Sequence, residues 1–226
     1  YKLDESSGTT ASDSSGNNNT GTLTNGPVWQ PTGGKVGGAL SFDGINDYVQ
    51  ISTSHLTSTN DFSISAWVKS THDSGDNAVI VSGDNVAGTV SGWSIRIIGT
   101  TGLLRTSVAI GNSYDSAQTT KTISNATWTH VVGVKEGTSL RSYINGVLEQ
   151  TTVLTSATMD YTGVGPQSRL GTMSDGSSDF NGTIDEIRIY NRALSATEIQ
   201  RLYQMGRWRL LCKQKLESGI LNLAKT

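Results

Sequence analysis

Three predicted strands carry side chains that are suited to binding sugars. Residues 92–98, 103–110 and 140–144 alternate apolar and polar side chains, so we expect their polar side chains to point away from the core. Guanidinium groups form paired hydrogen bonds with hydroxyls and carboxylates, and a tyrosine ring stacks on the face of a pyranose. The alternative is that the arginines are solvated charges that protect a sheet edge. We predict a carbohydrate-binding strip formed by Arg96, Arg105, Arg141 and Tyr143, with Tyr114 and Tyr161 at its rim.

One acidic residue falls on the apolar face of another predicted strand, residues 183–190. Alternation places Asp185 on the same face as Ile187 and Ile189, and the face with the isoleucines should be buried. A buried carboxylate without a partner is costly, and no Lys or Arg of residues 181–203 shares that face. Two interpretations remain open. Either backbone N–H groups donate to Asp185, or a hard cation such as calcium binds it together with backbone carbonyl oxygens.

The acidic residues do not have the spacing that glycoside hydrolysis requires. A retaining glucanase needs two carboxyl groups about 5 Å apart. None of the six glutamates has an acidic partner two residues away on the same strand face, and the sequence has no Ser–His–Asp or Cys–His spacing signal. A lyase that uses Tyr with His or Arg stays open, because such residues can come from distant strands.

Composition predicts many short strands joined by turns. The 226 residues include 26 glycines but only three prolines, and 16% of the residues are charged. The pair Asn145-Gly146 predicts a tight hairpin between residues 140–144 and 147–153. Residues 39–51 predict a second hairpin, with Asp43 and Asp47 flanking its bend. The simplest interpretation of these two residues is that Asp43 caps its own turn and Asp47 lies at a solvated strand end.

Two further side chains are assigned to structure rather than to ligand binding. In residues 62–69, Trp67 lies off the main core face, and we expect a crossing segment or a neighbouring aromatic ring to cover it. His130 shares its face with valines, so we expect a hydrogen-bonded core histidine. Near the C-terminus, Ser195 and Glu198 have the spacing of a capping box, which predicts a short helix that packs back on the sheet.

Several sequence blocks in a fixed order resemble laminin-G-like, concanavalin A-like jelly-roll domains. The closing block is NGTIDEIRIYNRALSATEIQRLY at 181–203, preceded by ALSFDGINDYVQI at 39–51, DFSISAWVK at 61–69 and WTHVVGVKEGTSLRSYINGVLEQ at 128–150. The loop-rich start at residues 3–29 is also similar to that family, so the resemblance covers roughly residues 1–205. It implies an all-β fold, a two-sheet antiparallel β-sandwich (jelly roll) with a short C-terminal helix.

The resemblance also implies a calcium site. Related jelly-roll glucanases place a structural calcium ion against an aspartate in the matching closing strand, which corresponds to Asp185 here. By this resemblance the other ligands would be backbone oxygens near Gly38 and the N-terminal segment, with Asp43 or Asp47 as the next carboxylate candidates. Domains of this kind occur in secreted or cell-surface proteins, so we expect the same location here.

Charge and composition divide the chain into a domain, residues 1–206, and a tail, residues 207–226. The tail contains five Lys or Arg and one Glu, whereas residues 1–206 contain twelve Lys or Arg and eighteen Asp or Glu. The tail is a basic amphipathic helix, a linker to a further domain or a non-native extension. The formal net charge of −2 gives no basic surface for nucleic acid, and no run of about 18 apolar residues could span a membrane.

Three functions of different classes fit these observations. The first is a non-catalytic carbohydrate-binding module of a secreted or cell-surface protein, whose partner is a glycan or polysaccharide. The second is an adhesion or spacer module that recognises protein, and the third is a polysaccharide-cleaving hydrolase or lyase. In each case we expect the chain to be part of a larger multidomain protein, and fold alone does not choose between the three functions.

Overall fold

The computed structural model describes residues 1–52, 61–71, 75–82, 90–160, 167–173 and 176–217, with the backbone alone for residues 52, 167 and 208–217. These residues contain fifteen strands and one α-helix, α1 (Ala196–Glu217). The strands are β1 (Thr10–Ala11), β2 (Gly21–Thr24), β3 (Val28–Gln30), β4 (Ala39–Asp43), β5 (Tyr48–Ser52), β6 (Phe62–Ser70), β7 (Asn77–Ser82), β8 (Trp93–Ile98), β9 (Leu103–Ile110), β10 (Ser113–Thr122), β11 (Thr129–Glu136), β12 (Ser139–Ile144), β13 (Val147–Val153), β14 (Gln167–Leu170) and β15 (Asn181–Tyr190).

The strands form two antiparallel sheets that pack face to face. The eight-stranded sheet has the order β1-β2-β5-β14-β7-β8-β9-β10, and the seven-stranded sheet has the order β13-β12-β11-β6-β15-β4-β3. Alternating apolar residues of both sheets meet between them, as in the contact of Phe62 on β6 with Trp93 on β8 at 5.5 Å between ring centroids. The predicted jelly-roll sandwich is therefore confirmed.

The predicted hairpin of residues 140–144 and 147–153 is also confirmed. Strands β12 and β13 pair on either side of Asn145 and Gly146, whose φ angles of 53° and 80° are the left-handed values that a type I′ turn requires. This hairpin forms one edge of the seven-stranded sheet, because β13 is the terminal strand.

The predicted hairpin over residues 39–51 is wrong. Strand β4 pairs with β3 and β15 in the seven-stranded sheet, whereas β5 pairs with β2 and β14 in the eight-stranded sheet. The turn at Asp43 therefore connects the two sheets. Asp43 caps this turn by accepting a hydrogen bond from the Ile45 N–H (2.9 Å), as its simplest interpretation expected. Asp47 is buried rather than solvated, and it accepts a bond from the Asp43 N–H (3.0 Å).

A β-bulge in β15 changes the predicted alternation of the closing strand. Asp185 pairs with Trp67 and Arg188 pairs with Ser65, so three steps on β15 oppose two steps on β6. Glu186 provides the extra residue with a φ of 50°. Ile187 faces the main core, but Asp185 shares the side of Trp67 on the outer face of the sheet. The prediction that Asp185 faces the core beside Ile187 is therefore wrong.

Helix α1 begins at the predicted capping box. The Ser195 N–H donates to Glu198 Oε2 (2.9 Å), and the Glu198 N–H donates to Ser195 Oγ (3.3 Å). The helix continues across the predicted boundary between residues 206 and 207 and extends to Glu217. Its Ile199 packs with Val132 and Tyr143 in a second apolar cluster, which lies between the helix and the outer face of the seven-stranded sheet.

This second layer also contains the tryptophan and the histidine that were assigned to structure. Trp67 is 3% exposed, and its ring lies 5.7 Å from that of Tyr203 and 5.2 Å from that of His130. His130 is buried, and its Nε2 lies 2.9 Å from Ser65 Oγ. Burial lowers the pKa of His130 to about 3, so the ring is neutral. The predicted structural roles of Trp67 and His130 are thus confirmed.

Candidate ligand-binding site on the outer face of the eight-stranded sheet

The predicted binding strip is not a single surface. Arg96 on β8 and Arg105 on β9 lie on the eight-stranded sheet, whereas Arg141 and Tyr143 lie on β12 of the seven-stranded sheet. Each pair points outward from its own sheet, as alternation predicted, but the outer faces of the two sheets lie on opposite sides of the sandwich. The strip prediction is therefore wrong, because alternation fixes the face of a strand and not the sheet to which the strand belongs.

Arg141 and Tyr143 are occupied by contacts within the protein. Tyr143 is 2% exposed and belongs to the cluster beneath α1, which makes it part of the packing between helix and sheet. Arg141 forms an ion pair with Glu136. Tyr114 is half-buried on β10, in the same sheet as Arg96 and Arg105, and Tyr161 lies outside the described residues.

Short polar side chains line the outer face of the eight-stranded sheet. The register places Ser94, Ser107 and Ser116 directly opposite one another on β8, β9 and β10. We call these three residues the serine row. They alternate with residues of the main core, such as Ile95 and Val108, so their side chains point outward. Ser94 and Ser107 are nevertheless buried, with 3% and 0% exposure, whereas Ser116 is half-buried. The Oγ atoms of Ser107 and Ser116 are 2.9 Å apart. The serine row extends about 10 Å across the three strands.

A second in-register row runs along one side of the serine row. It consists of Arg96, Arg105 and Gln118, again on β8, β9 and β10. Arg105 donates from Nε and Nη2 to Gln118 Oε1, at 2.8 and 2.5 Å. Burial lowers the pKa of Arg105, and the charge of Arg96 lowers it further. We call the serine row and this second row together the polar trough.

The serine row continues across the sheet through Val81, Arg169 and Gln50. The Arg169 guanidinium lies 4.7 Å from the ring of Tyr48, and its Nε donates to Gln50 Oε1 at 3.2 Å. Hydroxyl, amide, guanidinium and aromatic groups therefore share one sheet face. This combination can donate hydrogen bonds to a row of hydroxyl oxygens and can stack on an apolar sugar face.

Sequence reasoning missed most of the trough. Alternation does mark Ser94 and Ser107 as outward-facing, but nothing in the sequence ranks them above other polar residues. Ser116 and Gln118 belong to β10, a strand that the alternation pattern did not predict. The missing signal was the pairing of β10 with β9, which aligns the two rows.

A separate cleft of about 650 Å³ lies between the N-terminal segment and the second half of β15. Glu186 and Arg188 face this cleft and form an ion pair with each other. Asp13 lies on the opposite wall, and its carboxylate accepts hydrogen bonds from the N–H groups of Ser15 and Asn19. The charged groups of the cleft are thus largely engaged within the protein.

Asp185 has the properties of a cation ligand. It is fully buried, and its Oδ2 accepts a hydrogen bond from the Val36 N–H at 2.9 Å. Its Oδ1 has no hydrogen-bond partner among the described residues. Burial, together with the smaller effects of the neighbouring charges of Glu186 and Asp4, raises the pKa of Asp185 to about 8, although the hydrogen bond from Val36 opposes the rise. A divalent cation would compensate a carboxylate that the protein otherwise leaves under-satisfied.

The segment around Gly38 also fits such an ion, whereas Asp43 and Asp47 do not lie beside Asp185. A Cβ atom on Gly38 would come within 2.9 Å of the Leu3 carbonyl oxygen, so glycine permits a close approach of the two backbones. Asp43 pairs with Asn181, four residues before Asp185 on β15, so the two carboxylates are separated along the strand. The described residues contain no cluster of three His, Cys, Asp or Glu side chains, so backbone oxygens would have to complete the site.

A family model matches most of the chain. The Laminin_G_3 model, described as the concanavalin A-like lectin/glucanases superfamily, matches residues 42–200. No curated protein matches significantly. The described part of the chain contains no helix that is both long and apolar enough to cross a membrane.

Several solved structures share the fold. Domain 4 of AbnA, a GH43 extracellular arabinanase from Geobacillus stearothermophilus, was solved in complex with arabinotriose; it matches with a TM-score of 0.68 and 24% identity, covering 85% of this chain and 92% of that chain. The botulinum neurotoxin serotype G binding domain matches with a TM-score of 0.65 and 17% identity, over 85% of this chain and 48% of that chain. The SAP-like pentraxin from Limulus polyphemus matches with a TM-score of 0.57 and 14% identity, over 71% and 78%.

Proposed function

Because the chain belongs to the concanavalin A-like lectin/glucanase superfamily, we propose that it is a non-catalytic carbohydrate-binding module whose glycan lies in the polar trough. The observation that carries this proposal is the in-register row of Arg96, Arg105 and Gln118, whose side chains stay partly exposed beside the buried Ser94 and Ser107. A sugar chain presents a repeating series of hydroxyls, and this row presents two guanidinium groups and an amide along one direction.

The two sheets differ in a way that supports this location. Helix α1 packs on the outer face of the seven-stranded sheet, where Tyr143 and Trp67 are buried. In the trough, Arg105 and Gln118 are half-buried, so their polar groups remain partly accessible. The arabinanase domain solved with arabinotriose has the same fold, which is consistent with glycan binding by this architecture.

The test is binding to a glycan array together with assays for turnover. We expect retention of at least one polysaccharide without release of reducing ends and without the absorbance of a lyase product. Detection of turnover would show that the chain is a polysaccharide-cleaving enzyme rather than a non-catalytic binding module. Failure to bind any glycan would contradict the proposal.

A bulky substitution locates the site. Ser116→Trp places an indole in the serine row on a half-buried position of an edge strand, and it should abolish glycan binding by filling the trough. Thr151→Trp adds the same side chain to the edge strand of the other sheet and should bind as the wild type does. Equal binding by both variants would place the glycan elsewhere.

Protein recognition is the second candidate function, and the outer edge of β13 favours it. Val147, Leu148 and Val153 are 54%, 48% and 79% exposed on this terminal strand of the sheet. An exposed edge with apolar side chains can pair with a strand of another protein. This function would be favoured if the chain bound no glycan on the array but did bind a protein, and if Val153→Lys abolished binding of that protein.

We also propose a structural calcium ion at Asp185. Asp185 Oδ1 would bind the ion together with backbone oxygens near Gly38 and the N-terminal segment. When bound, calcium would neutralise the buried carboxylate. Because an ion that binds only the folded state stabilises it by mass action, the melting temperature should rise in calcium and fall again with excess chelator. An unchanged melting temperature would contradict the calcium site. The buried Asp185 would then be accommodated by protonation or by hydrogen bonds from backbone N–H groups.

We further propose that the chain acts outside the cell or on its surface, as one domain of a larger protein. Similar domains occur in an extracellular arabinanase and in a toxin binding domain. This chain spans about half the length of the toxin binding domain. Cell fractionation of the source organism tests the location, since detection only in the cytoplasm would contradict it.

A further inference from the structure

Two arginines of the trough face each other directly. Arg96 and Arg105 are cross-strand partners on β8 and β9, and both side chains point outward from the sheet. Like charges in directly opposite positions of a sheet destabilise it. The Arg96 side chain is only 14% exposed, so water screens this repulsion less than it would at an open surface. Stability of the fold alone therefore does not explain the pair.

The other contacts of the two guanidinium groups leave them under-compensated. Gln118, whose Oε1 accepts hydrogen bonds from Nε and Nη2 of Arg105, is neutral. Arg96 Nη1 lies 3.6 Å from Asp76 Oδ2 and 3.6 Å from Met173 Sδ, which is too far for a strong hydrogen bond to the carboxylate. Arg96 Nε is buried and has no hydrogen-bond partner among the described residues. Within the described part of the face, the two cations thus have one carboxylate between them, which forms an ion pair with Arg96 at 3.6 Å.

We propose that the Arg96–Arg105 pair binds the carboxylate groups of an acidic polysaccharide, so that the ligand of the trough is a uronic-acid polymer. This inference rests on the proposed carbohydrate-binding function. A carboxylate matches the planar donor fork of a guanidinium group and would neutralise the repulsion between the two arginines. Gln118 and Ser116, which are half-buried on the neighbouring strand β10, would then contact the hydroxyls of the same sugar units. A sulfated glycan carries the same charge without the planar geometry, and the experiment separates the two.

The experiment compares acidic polymers with neutral and sulfated ones, and it includes one pair, polygalacturonate and its methyl ester, that differs chiefly in charge. Affinity of the whole chain is measured for polygalacturonate, alginate and glucuronoxylan, and for methyl-esterified polygalacturonate, arabinan and dextran sulfate as neutral and sulfated comparisons. We expect binding to at least one uronic-acid polymer, with affinity that falls as salt rises, because exposed charges are screened. If polygalacturonate is that polymer, methyl esterification should weaken binding about tenfold or more, since it removes hydrogen bonds to a charged group.

Matched arginine variants assign the effect to the pair. Arg105→Gln and Arg96→Gln should each lose about tenfold or more in affinity for the uronic-acid polymer and should reduce its salt dependence. Arg141→Gln removes an arginine from the outer face of the other sheet and should bind as the wild type does. Circular dichroism and the midpoint of unfolding confirm that each variant is folded.

The outcomes separate this inference from the proposed function. Preference for arabinan or another neutral polymer, unaffected by Arg105→Gln, overturns the acidic ligand and leaves the carbohydrate-binding module in place. Preference for dextran sulfate over every uronic-acid polymer overturns the carboxylate as the recognised group. Absence of binding to all polymers overturns the proposed function and this inference together.

Discussion

The outer faces of the two sheets begin from the same sequence pattern and end in different environments. On each face, polar or aromatic residues alternate along the strands with residues of the core. These outward residues include Trp67 and Tyr143 on the seven-stranded sheet, and Arg96 and Arg105 on the eight-stranded sheet. The first pair is sealed beneath α1, whereas the second pair lines a half-buried trough. A position that points away from the core is therefore not necessarily open to ligand, because a distant segment decides whether it is covered.

The largest effect is expected from Trp67→Ala, which tests whether the covered face is a true second core. Trp67 contacts His130, Tyr203 and the Lys35 ammonium, which lies 4.4 Å from the ring centroid. Removing a buried Trp side chain should lower the free energy of unfolding by about 3–5 kcal/mol, since it leaves a cavity between helix and sheet. Denaturant unfolding measures the change.

Glycan affinity of the folded Trp67→Ala protein provides the control. The trough lies on the other sheet, so affinity per folded molecule should match the wild type. Loss of binding without loss of stability would mean that the ligand contacts the seven-stranded sheet, and the contrast between the two faces would be mistaken.

A smaller effect of unusual sign is expected from Gly206→Ala. Glycine is a poor helix former, so alanine normally stabilises a helix interior by about 1 kcal/mol. Here a Cβ atom would lie 2.5 Å from Trp67 Nε1, so alanine should instead destabilise the protein by about 1–3 kcal/mol. In a Trp67→Ala background the clash is absent, and Gly206→Ala should become stabilising. Denaturant unfolding of the four proteins of this cycle measures the coupling, and additive changes would exclude the contact.

Asp185 is a buried carboxyl group on the covered outer face of the seven-stranded sheet, and its titration tests how completely that face excludes water. Burial raises its pKa from 3.8 to about 8, so between these pH values the folded protein retains a proton that the unfolded chain has released. Without a cation, this group should make stability fall as pH rises from about 4 to about 8. Asp185→Asn has no carboxyl group to titrate, so its stability should not show this fall. The difference in melting temperature between the variant and the wild type should therefore grow in favour of the variant as pH rises from about 4 to about 8, as measured by thermal unfolding in chelator.

Calcium should make the wild type more stable than Asp185→Asn near pH 8. The ion binds the deprotonated carboxylate, so calcium should raise the melting temperature of the wild type more at pH 8 than at pH 5 and leave Asp185→Asn unchanged. An equal response of both proteins would place any bound calcium at a different site.

Local patterns predicted the elements of the fold well. The Asn145-Gly146 hairpin and the capping box of α1 both depend on residues close in sequence, and the structure contains both. The assignment of strands to sheets depends on distant partners. Asp43 was therefore placed in a hairpin, although its strand pairs with β15 at Asn181.

The candidate site was less predictable for the same physical reason. Arg96 and Arg105 were found because both belong to one pair of neighbouring strands. The β-bulge that turns Asp185 away from the core depends on Glu186 adopting a positive φ, which is uncommon for a non-glycine residue and leaves no signal in the sequence. Alternation alone therefore assigned the wrong surroundings to a correctly selected carboxylate.

The smallest stability effect is expected for Arg105→Gln, and its sign tests why the trough is charged. Removing one of two opposed cations relieves repulsion, so the free energy of unfolding should stay the same or rise by up to about 0.5 kcal/mol. Arg141→Gln on the other outer face removes an ion pair with Glu136 instead, and it should stay the same or fall by up to about 1 kcal/mol. Denaturant unfolding at low salt measures both, since screening weakens both effects. A clear loss of stability in Arg105→Gln would show that the arginine pair supports the fold, and the charged trough would then need no ligand to explain it.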